Sequence, residues 1–438
     1  MMDLEKYVSD ILPRSMALRG LTVYRALVKP VRVLFEQRRI PDEGWSDDEV
    51  RILLRVLSMM DTDKDPGAAR VGEREGRVAS PLVAELAAGF CHGVGRSGVV
   101  AAPQPKAPGA SVMYALANML ASDAMRRFGA PNLRHAVVLP ASTGLSLALA
   151  LSALKREGGR YVVYPRVDHR SPLKGIELAG LKPRVVEGVV EGDAVRVPVD
   201  DVVEAVDGET AAIVSTTTFF PPREPDDIKG IAKAARDLGV PHIVNNAYGV
   251  QSRDIMRMVG GAVDAGRVDA VVQSTDKNFL TPVGGAIVAS GDEEAVMRVS
   301  GMYPGRATAA PIVQFLAAIL SLGVKGYERL RSEQEENRRL LERLMGELAE
   351  RHGERILRVF NPVACAMTLT GRDPLRVGAA LYNLRVNGPR ALGPRDWGTC
   401  CREYRTAYIT MNAAIGSKRR DVEEAVRRLD QALRQTGK

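Results

Sequence analysis

From about residue 110 onward, helical stretches alternate with short apolar runs, and this alternation restricts the fold more than any other feature of the chain. Apolar runs fall at residues 135–140, 160–165, 211–216, 242–245, 268–273 and 286–289. Each is strand-length, and stretches of helical period lie between them. One such stretch is 225–238, with Asp226 and Asp227 in its expected first turn. Acidic side chains suit that turn because its backbone N–H groups are unpaired. Strands separated by helices pair in parallel through crossovers. The expected architecture is therefore α/β, a mostly parallel central sheet with helices on both faces.

The flanks read differently. Residues 1–60 are expected to form an N-terminal helical extension. Pro30 fits the first turn of a helix over PVRVLFEQRR, placing Arg32, Glu36 and Arg39 along one side. A capping box, Ser46 to Glu49, opens a second helix. Residues 61–109 are rich in Gly, Pro and Arg and almost free of periodicity, the mark of a functional or disordered loop. From about Gly326 a long charged helix leads to a small C-terminal α/β region, with strands expected near 357–360, 366–369 and 407–410. The expected domains are 1–60, 61–325 and 326–438.

Composition excludes several classes. The charged start, MMDLEKYVSD, lacks the apolar core of a signal peptide, and the apolar stretch 311–324 is too short to span a bilayer. A cytoplasmic protein without membrane attachment is expected. The four cysteines show no CxxC spacing and the five histidines no ligand pattern beside them, so neither a metal site nor a disulfide scaffold is expected. A net charge of +8 permits a nucleic-acid partner, although arginine-rich surfaces also occur without one.

Three elements fall in the order that an aminotransferase-type pyridoxal-phosphate site requires. Pro140-Ala-Ser-Thr-Gly144 lies between a strand and a helix, where free amides together with Ser142, Thr143 and Gly144 can receive a phosphate. Small residues at such turns are common, so the motif alone says little. Asn245 ends the strand HIVNN, where an Asp-x-Ala ordinarily pairs with the pyridine nitrogen; the asparagine is a departure. Lys277, in Ser274-Thr-Asp-Lys277, follows the next strand and precedes Pro282-Val-Gly-Gly285, well placed for a Schiff base. A lone lysine there would ordinarily be a solvated loop residue; the ordered trio favours the cofactor. Separately, His92-Gly-Val-Gly-Arg-Ser-Gly98 with Gln104-Pro-Lys106 offers flexible amides, cations and a hydroxyl to an anion, without the spacing of a nucleotide P-loop. A plain glycine-rich turn is the alternative. Gly72-Glu-Arg-Glu-Gly76 and Pro304-Gly-Arg306 carry charges that, singly, could simply be solvated.

Together VGEREGRVAS, HGVGRSG, QPKAPG, HIVNNAYGVQS, QSTDKNF, PVGGAI and MYPGRA resemble the O-phosphoseryl-tRNA(Sec):selenocysteinyl-tRNA(Sec) synthase (selenium transferase) family, over nearly the whole chain. The resemblance implies the fold type I pyridoxal-phosphate architecture, pyridoxal 5'-phosphate as cofactor and a homotetramer. It also implies conversion of phosphoseryl-tRNA(Sec) with selenophosphate, with tRNA rather than DNA as the nucleic acid. Position by position it makes Lys277 the Schiff-base lysine and places Arg74 near the cofactor. Arg96, Ser97, Gln104 and Arg306 hold the substrate phosphoryl group, and Glu73 acts as a filter against free α-carboxylates. Arg390, in NGPR, and Arg39 would touch the tRNA acceptor arm, with Gln37 replacing another basic residue. His169, in PRVDHRS, departs from the family and receives no role.

The chemistry implied is removal of the Cα proton by Lys277, loss of the β-phosphate to a dehydroalanyl ester, and selenium addition at Cβ. Three alternatives remain open at this point. One is a related enzyme moving sulfur on phosphoseryl-tRNA. Another is a pyridoxal-phosphate enzyme for a free amino acid, such as a cysteine desulfurase. The third is a catalytically silent tRNA-binding protein.

Overall fold

The computed structural model describes residues 4–437. In chain order its strands are β1 (His135–Leu139), β2 (Tyr161–Pro165), β3 (Lys182–Val186), β4 (Val189–Glu191), β5 (Ala194–Arg196), β6 (Thr210–Thr216), β7 (His242–Asn245), β8 (Ala270–Ser274), β9 (Ala286–Ser290), β10 (Ala364–Thr368), β11 (Arg390–Leu392) and β12 (Tyr408–Asn412). Seven of them form the central sheet in the order β1-β9-β8-β7-β6-β2-β3. Neighbours from β8 through β3 pair in parallel, while β9 runs antiparallel to both β1 and β8. Strands β6, β7, β8 and β9 are buried along their whole length, which requires helices on both faces and explains their unbroken apolar character. All six expected strands of this region are present, within two residues at either end.

The chain forms two compact units. One joins the residues up to Ala124 with Tyr303–Tyr327; the other joins Met125–Met302 with the residues from Glu328 on. The C-terminal region clusters with the sheet, yet keeps a core of its own. There Leu341, Met345, Met367, Ile409, Leu429 and Leu433 pack between its helices and the antiparallel sheet β10-β12-β11.

Several local expectations are corrected. Pro30 lies inside the helix Arg14–Gln37, not in a first turn. Arg38 is left-handed (φ 53°) and ends that helix, so Arg39 does not share the side on which Arg32 meets Glu36 at 3.8 Å. The helix expected from 225 starts at Ile228, capped by Asp227, whose carboxylate accepts from the Gly230 N–H at 2.9 Å. Asp226 is instead buried, taking the Thr216 N–H at 2.7 Å and pairing with the buried Arg223. Residues 357–360 form no strand, and β3, β4, β5 and β11 were not anticipated. The capping box is present: Ser46 Oγ accepts from the Glu49 N–H at 3.3 Å, and Glu49 Oε2 from the Ser46 N–H at 2.7 Å.

The long charged helix begins earlier than Gly326, at Ala310, and runs to His352 with a break at Gly323 (φ 62°, ψ −178°). By length and composition it is apolar enough to cross a membrane. However, Ile312, Phe315, Leu316, Ile319 and Leu320 are wholly buried in the protein, which makes this end a core helix. Residues 41–45 run alongside the break. Trp45 N–H donates to the Leu320 carbonyl (2.8 Å), while the Val324 and Lys325 N–H groups donate to Pro41 (2.9 Å) and Asp42 (3.0 Å). A Cβ on residue 323 would fall 2.6 Å from the backbone of Glu43, so only glycine fits.

Candidate active site

The C-terminal ends of β2, β6, β7 and β8 open onto a cavity of about 410 Å³, the usual place for a ligand in a sheet of this kind. Lys277 lines it from the short helix Thr275–Phe279 that follows β8. That turn is tightly held. Asn278 Nδ2 donates to the carbonyls of Ser274 (2.7 Å) and Ala247 (3.0 Å), Thr275 Oγ1 donates to Gly285 O (3.0 Å), and Gln251 Nε2 donates to the Lys277 carbonyl (3.2 Å). The backbone is fixed while the lysine side chain remains accessible.

Asn245 lines the same cavity, 5% exposed, with Nδ2 donating to Thr216 Oγ1 at 3.4 Å. Its Oδ1 is buried without a hydrogen-bond partner. A buried acceptor left unpaired is costly, and a ring N–H arriving from the cavity would satisfy it. Ser142 is exposed at the N-cap of the helix Thr143–Leu154 and accepts from the Leu145 N–H at 3.4 Å. A Cβ on Gly144 would meet Ser171 Oγ at 2.3 Å. Ser142, Thr143 and Gly144 are not among the residues lining the cavity itself.

His169, given no role from sequence, lines the cavity with its ring 6.0 Å from that of Phe219. Burial lowers its pKa, and the charges of Lys277 and Arg390 push it further down, so the imidazole is neutral near pH 7. The signal that could have found it is its place just past the end of β2. Arg390 opens β11 with its guanidinium over the rings of Phe220 (4.6 Å) and Phe219 (5.6 Å), two cavity-lining residues.

The other unit carries a second, polar pocket of about 470 Å³. Glu73, Arg74, Arg96, Ser97, Gln104 and Arg306, all singled out from sequence, line it together. The folding reason is local. Val94 and Ala307 exchange both backbone hydrogen bonds (2.9 and 3.0 Å), which sets Arg306 beside the glycine-rich segment. Gly93 (φ 70°) makes that approach possible, since a Cβ there would lie 2.3 Å from the Ala307 carbonyl. Arg96 and Val99 close a tight turn (3.1 and 3.2 Å) that presents Ser97, and Gln104 Nε2 donates to Gly95 O at 3.3 Å. Arg74 donates to the Cys91 carbonyl at 3.1 Å. Lys106 pairs with Glu75 at 2.5 Å and holds that carboxyl below its usual range. Among the described residues Glu73 makes no ion pair and is exposed. With Lys106 and Glu75 matched, three arginines face one carboxylate, an arrangement made for an anion.

A model of the family O-phosphoseryl-tRNA(Sec) selenium transferase, SepSecS, matches residues 60–434. The chain belongs to this family. A selenium transferase of that name from Methanopyrus kandleri is 50% identical over 428 residues, covering 97% of this chain and 99% of that protein. The crystal structure of an archaeal O-phosphoseryl-tRNA(Sec) selenium transferase superposes with a TM-score of 0.93 at 42% identity, covering 97% and 98% of the two chains. An aspartate aminotransferase from Thermus thermophilus, 14% identical with a TM-score of 0.52 over 91% and 99% of the chains, shares the fold alone. The fold is thus the aminotransferase-type, fold type I architecture of pyridoxal-phosphate enzymes.

The selenium transferase assignment is consistent with the cysteines. Cys365 and Cys400 are buried, which pushes both thiols up to about 12, and Cys401 is buried as well. Cys91 is half-buried, and burial raises its pKa too. A desulfurase needs a reactive thiolate on an accessible loop. None of these four provides one. No group of three or more metal-ligating side chains occurs among the described residues.

Proposed function

We propose that the protein converts O-phosphoseryl-tRNA(Sec) to selenocysteinyl-tRNA(Sec), with pyridoxal phosphate as cofactor and selenophosphate as selenium donor. Family membership supports the reaction. The observation that carries the site is the convergence of Glu73, Arg74, Arg96, Ser97, Gln104 and Arg306 on one polar pocket; Lys277 lines the cavity at the ends of the sheet strands.

Bound pyridoxal phosphate supplies an electron sink for the pair left at Cα when its proton departs. Lys277 holds the cofactor covalently when resting, and its Nζ then takes the Cα proton. Asn245 Oδ1 accepts from the ring N–H. Being neutral, it leaves the ring a weaker sink than a carboxylate would, which is tolerable when a good leaving group sits on Cβ. Ser142, Thr143 and the helix start at Gly144 hold the cofactor phosphate. Arg74 steadies the cofactor. Arg96, Ser97, Gln104 and Arg306 bind the substrate phosphoryl group and then selenophosphate.

Arg390, stacked on two cavity-lining phenylalanines, meets the acceptor end of the tRNA, and Arg39 contacts the acceptor arm. Four copies assemble. The test is purified protein with phosphoseryl-tRNA(Sec) and selenophosphate, run beside thiophosphate and free phosphoserine. Selenocysteinyl-tRNA formed only from the tRNA-linked substrate is the expected result. Turnover of free phosphoserine alone would overturn the reading.

A further inference from the structure

His92 and Asp63 form a buried pair in the wall of the anion pocket that no step above uses. His92 lines the pocket, yet its side chain is only 1% exposed and its Nε2 has no hydrogen-bond partner. Asp63 Oδ1, 3.8 Å away, is likewise buried and unpartnered, while its Oδ2 pairs with Lys64 at 2.5 Å. Gly76 (φ 68°) makes room for both: a Cβ there would lie 2.7 Å from Asp63 Cβ and 2.9 Å from His92 Nε2. Two buried polar atoms that face each other beyond hydrogen-bond reach are costly, and a proton on Nε2 would join them.

We infer that the His92–Asp63 pair takes up a proton when a phosphate dianion enters the pocket and delivers it to the departing phosphate. This rests on the reading that the pocket binds the substrate phosphoryl group. The chemistry demands such a donor. As the Cα proton leaves to Lys277, the Cα pair forms the Cα–Cβ double bond and the Cβ–Oγ pair goes to Oγ. From a dianionic ester that would expel phosphate trianion, a strongly basic leaving group. A proton passed from the His92 imidazolium to a phosphate oxygen makes the departing species hydrogen phosphate and leaves His92 neutral, its Nε2–H still directed at Asp63.

Other side chains in the pocket are poorly suited. Arginines do not give up protons. Ser97 and Gln104 donate hydrogen bonds but are weak acids, and Lys106 is held by Glu75. The groups acting on the ring are known. Burial lowers the His92 pKa, Asp63 opposes this, Arg306 and Arg74 lower it further, and Glu75 raises it. Lys64 and Cys91 stand beside the pair. With the pocket empty the ring is therefore neutral. A dianion offsets the two arginines and shifts the balance toward the proton.

The test titrates the cofactor-loaded protein with inorganic sulfate, a dianion that gains no proton near neutral pH. Calorimetry in two buffers of different ionisation enthalpy then counts the protons. Uptake approaching about one proton per sulfate is expected for the unaltered protein. It should fall at least about threefold in His92→Gln and in Asp63→Asn, and either variant suffices should the other fail to fold. Elimination from phosphoseryl-tRNA by His92→Gln should slow about a hundredfold with KM little changed. Sulfate binding that Arg306→Ala does not weaken would remove the phosphate reading and this inference together. Arg306-dependent binding without proton uptake, or with uptake unchanged in both variants, would overturn the inference alone.

Discussion

Lys277 sits on a turn whose backbone is fastened at Ser274, Thr275, Asn278 and Gln251, so truncating its accessible side chain should leave the fold untouched. Lys277→Ala is expected to abolish covalent cofactor attachment while the circular dichroism spectrum is unchanged. Borohydride reduction and peptide mapping of the unaltered protein should find the cofactor on Lys277; finding it on Lys174 or Lys229 would refute the assignment. Arg306→Ala removes a forked donor from the anion pocket and should reduce phosphoseryl-tRNA turnover by at least about tenfold at normal cofactor content. Glu73 tests a subtler idea. A tRNA-linked substrate has its carboxyl in an ester, whereas free phosphoserine carries a carboxylate. Two like charges about 6 Å apart at an effective dielectric near 20 repel by about 3 kcal/mol, or roughly a hundredfold. Glu73→Gln should therefore improve turnover of free phosphoserine while changing tRNA-linked activity less; no gain would end the filter reading. At this scale the charged and glycine motifs were legible because anion binding needs particular residue types close together in sequence. His169 and His92 were not, since what makes them relevant is burial and neighbours from distant segments.

The elements were legible where burial is uniform. Strands β6 to β9 are buried throughout and read as apolar runs, whereas β3, KPRVV, mixes charge and proline because it lies at the sheet edge. Pro30 misled because a proline is favourable at a helix start, but the preceding residues Arg14–Lys29 continue the helix through it. Strand β7 carries a pH-dependent element of stability. His242 is wholly buried, with Nε2 2.7 Å from Ser215 Oγ on β6 and Nδ1 3.0 Å from the Arg267 carbonyl. Nδ1 must then carry the hydrogen and Nε2 accept from Ser215. Burial brings its pKa down to about 4. The unfolded chain, with a histidine near pKa 6.5, binds the proton first, so stability is complete above about pH 6.5 and is lost as pH falls toward 4. The loss should be about 3 kcal/mol, measured by denaturant titration at several pH values, and largely absent in His242→Gln. At the capping box, Ser46→Ala should cost about 1 kcal/mol by the same measurement.

Over the whole molecule, a surplus of eight positive charges favours a polyanionic partner. If tRNA binding neutralises three to five phosphates of the duplex acceptor arm, raising salt from about 50 to 200 mM should weaken it roughly 40- to 500-fold. Arg39→Ala should flatten that slope by about one charge if the residue touches the acceptor arm. The α/β class was legible from alternation alone, whereas the grouping into units was not. Periodicity reports which face of an element is buried and says nothing about which remote segment buries it. The break at Gly323 shows what that concealed. The open N–H groups of Val324 and Lys325 find their carbonyls in Pro41 and Asp42, and Lys325 pairs with Glu43, 282 residues earlier. On a ribosome adding about 5–20 residues per second, the stretch 41–45 emerges roughly 15 to 60 seconds before the helix it must join. For that interval the first unit cannot close, and Trp45 has no Leu320 to meet. Its birth is therefore timed by the last third of the chain.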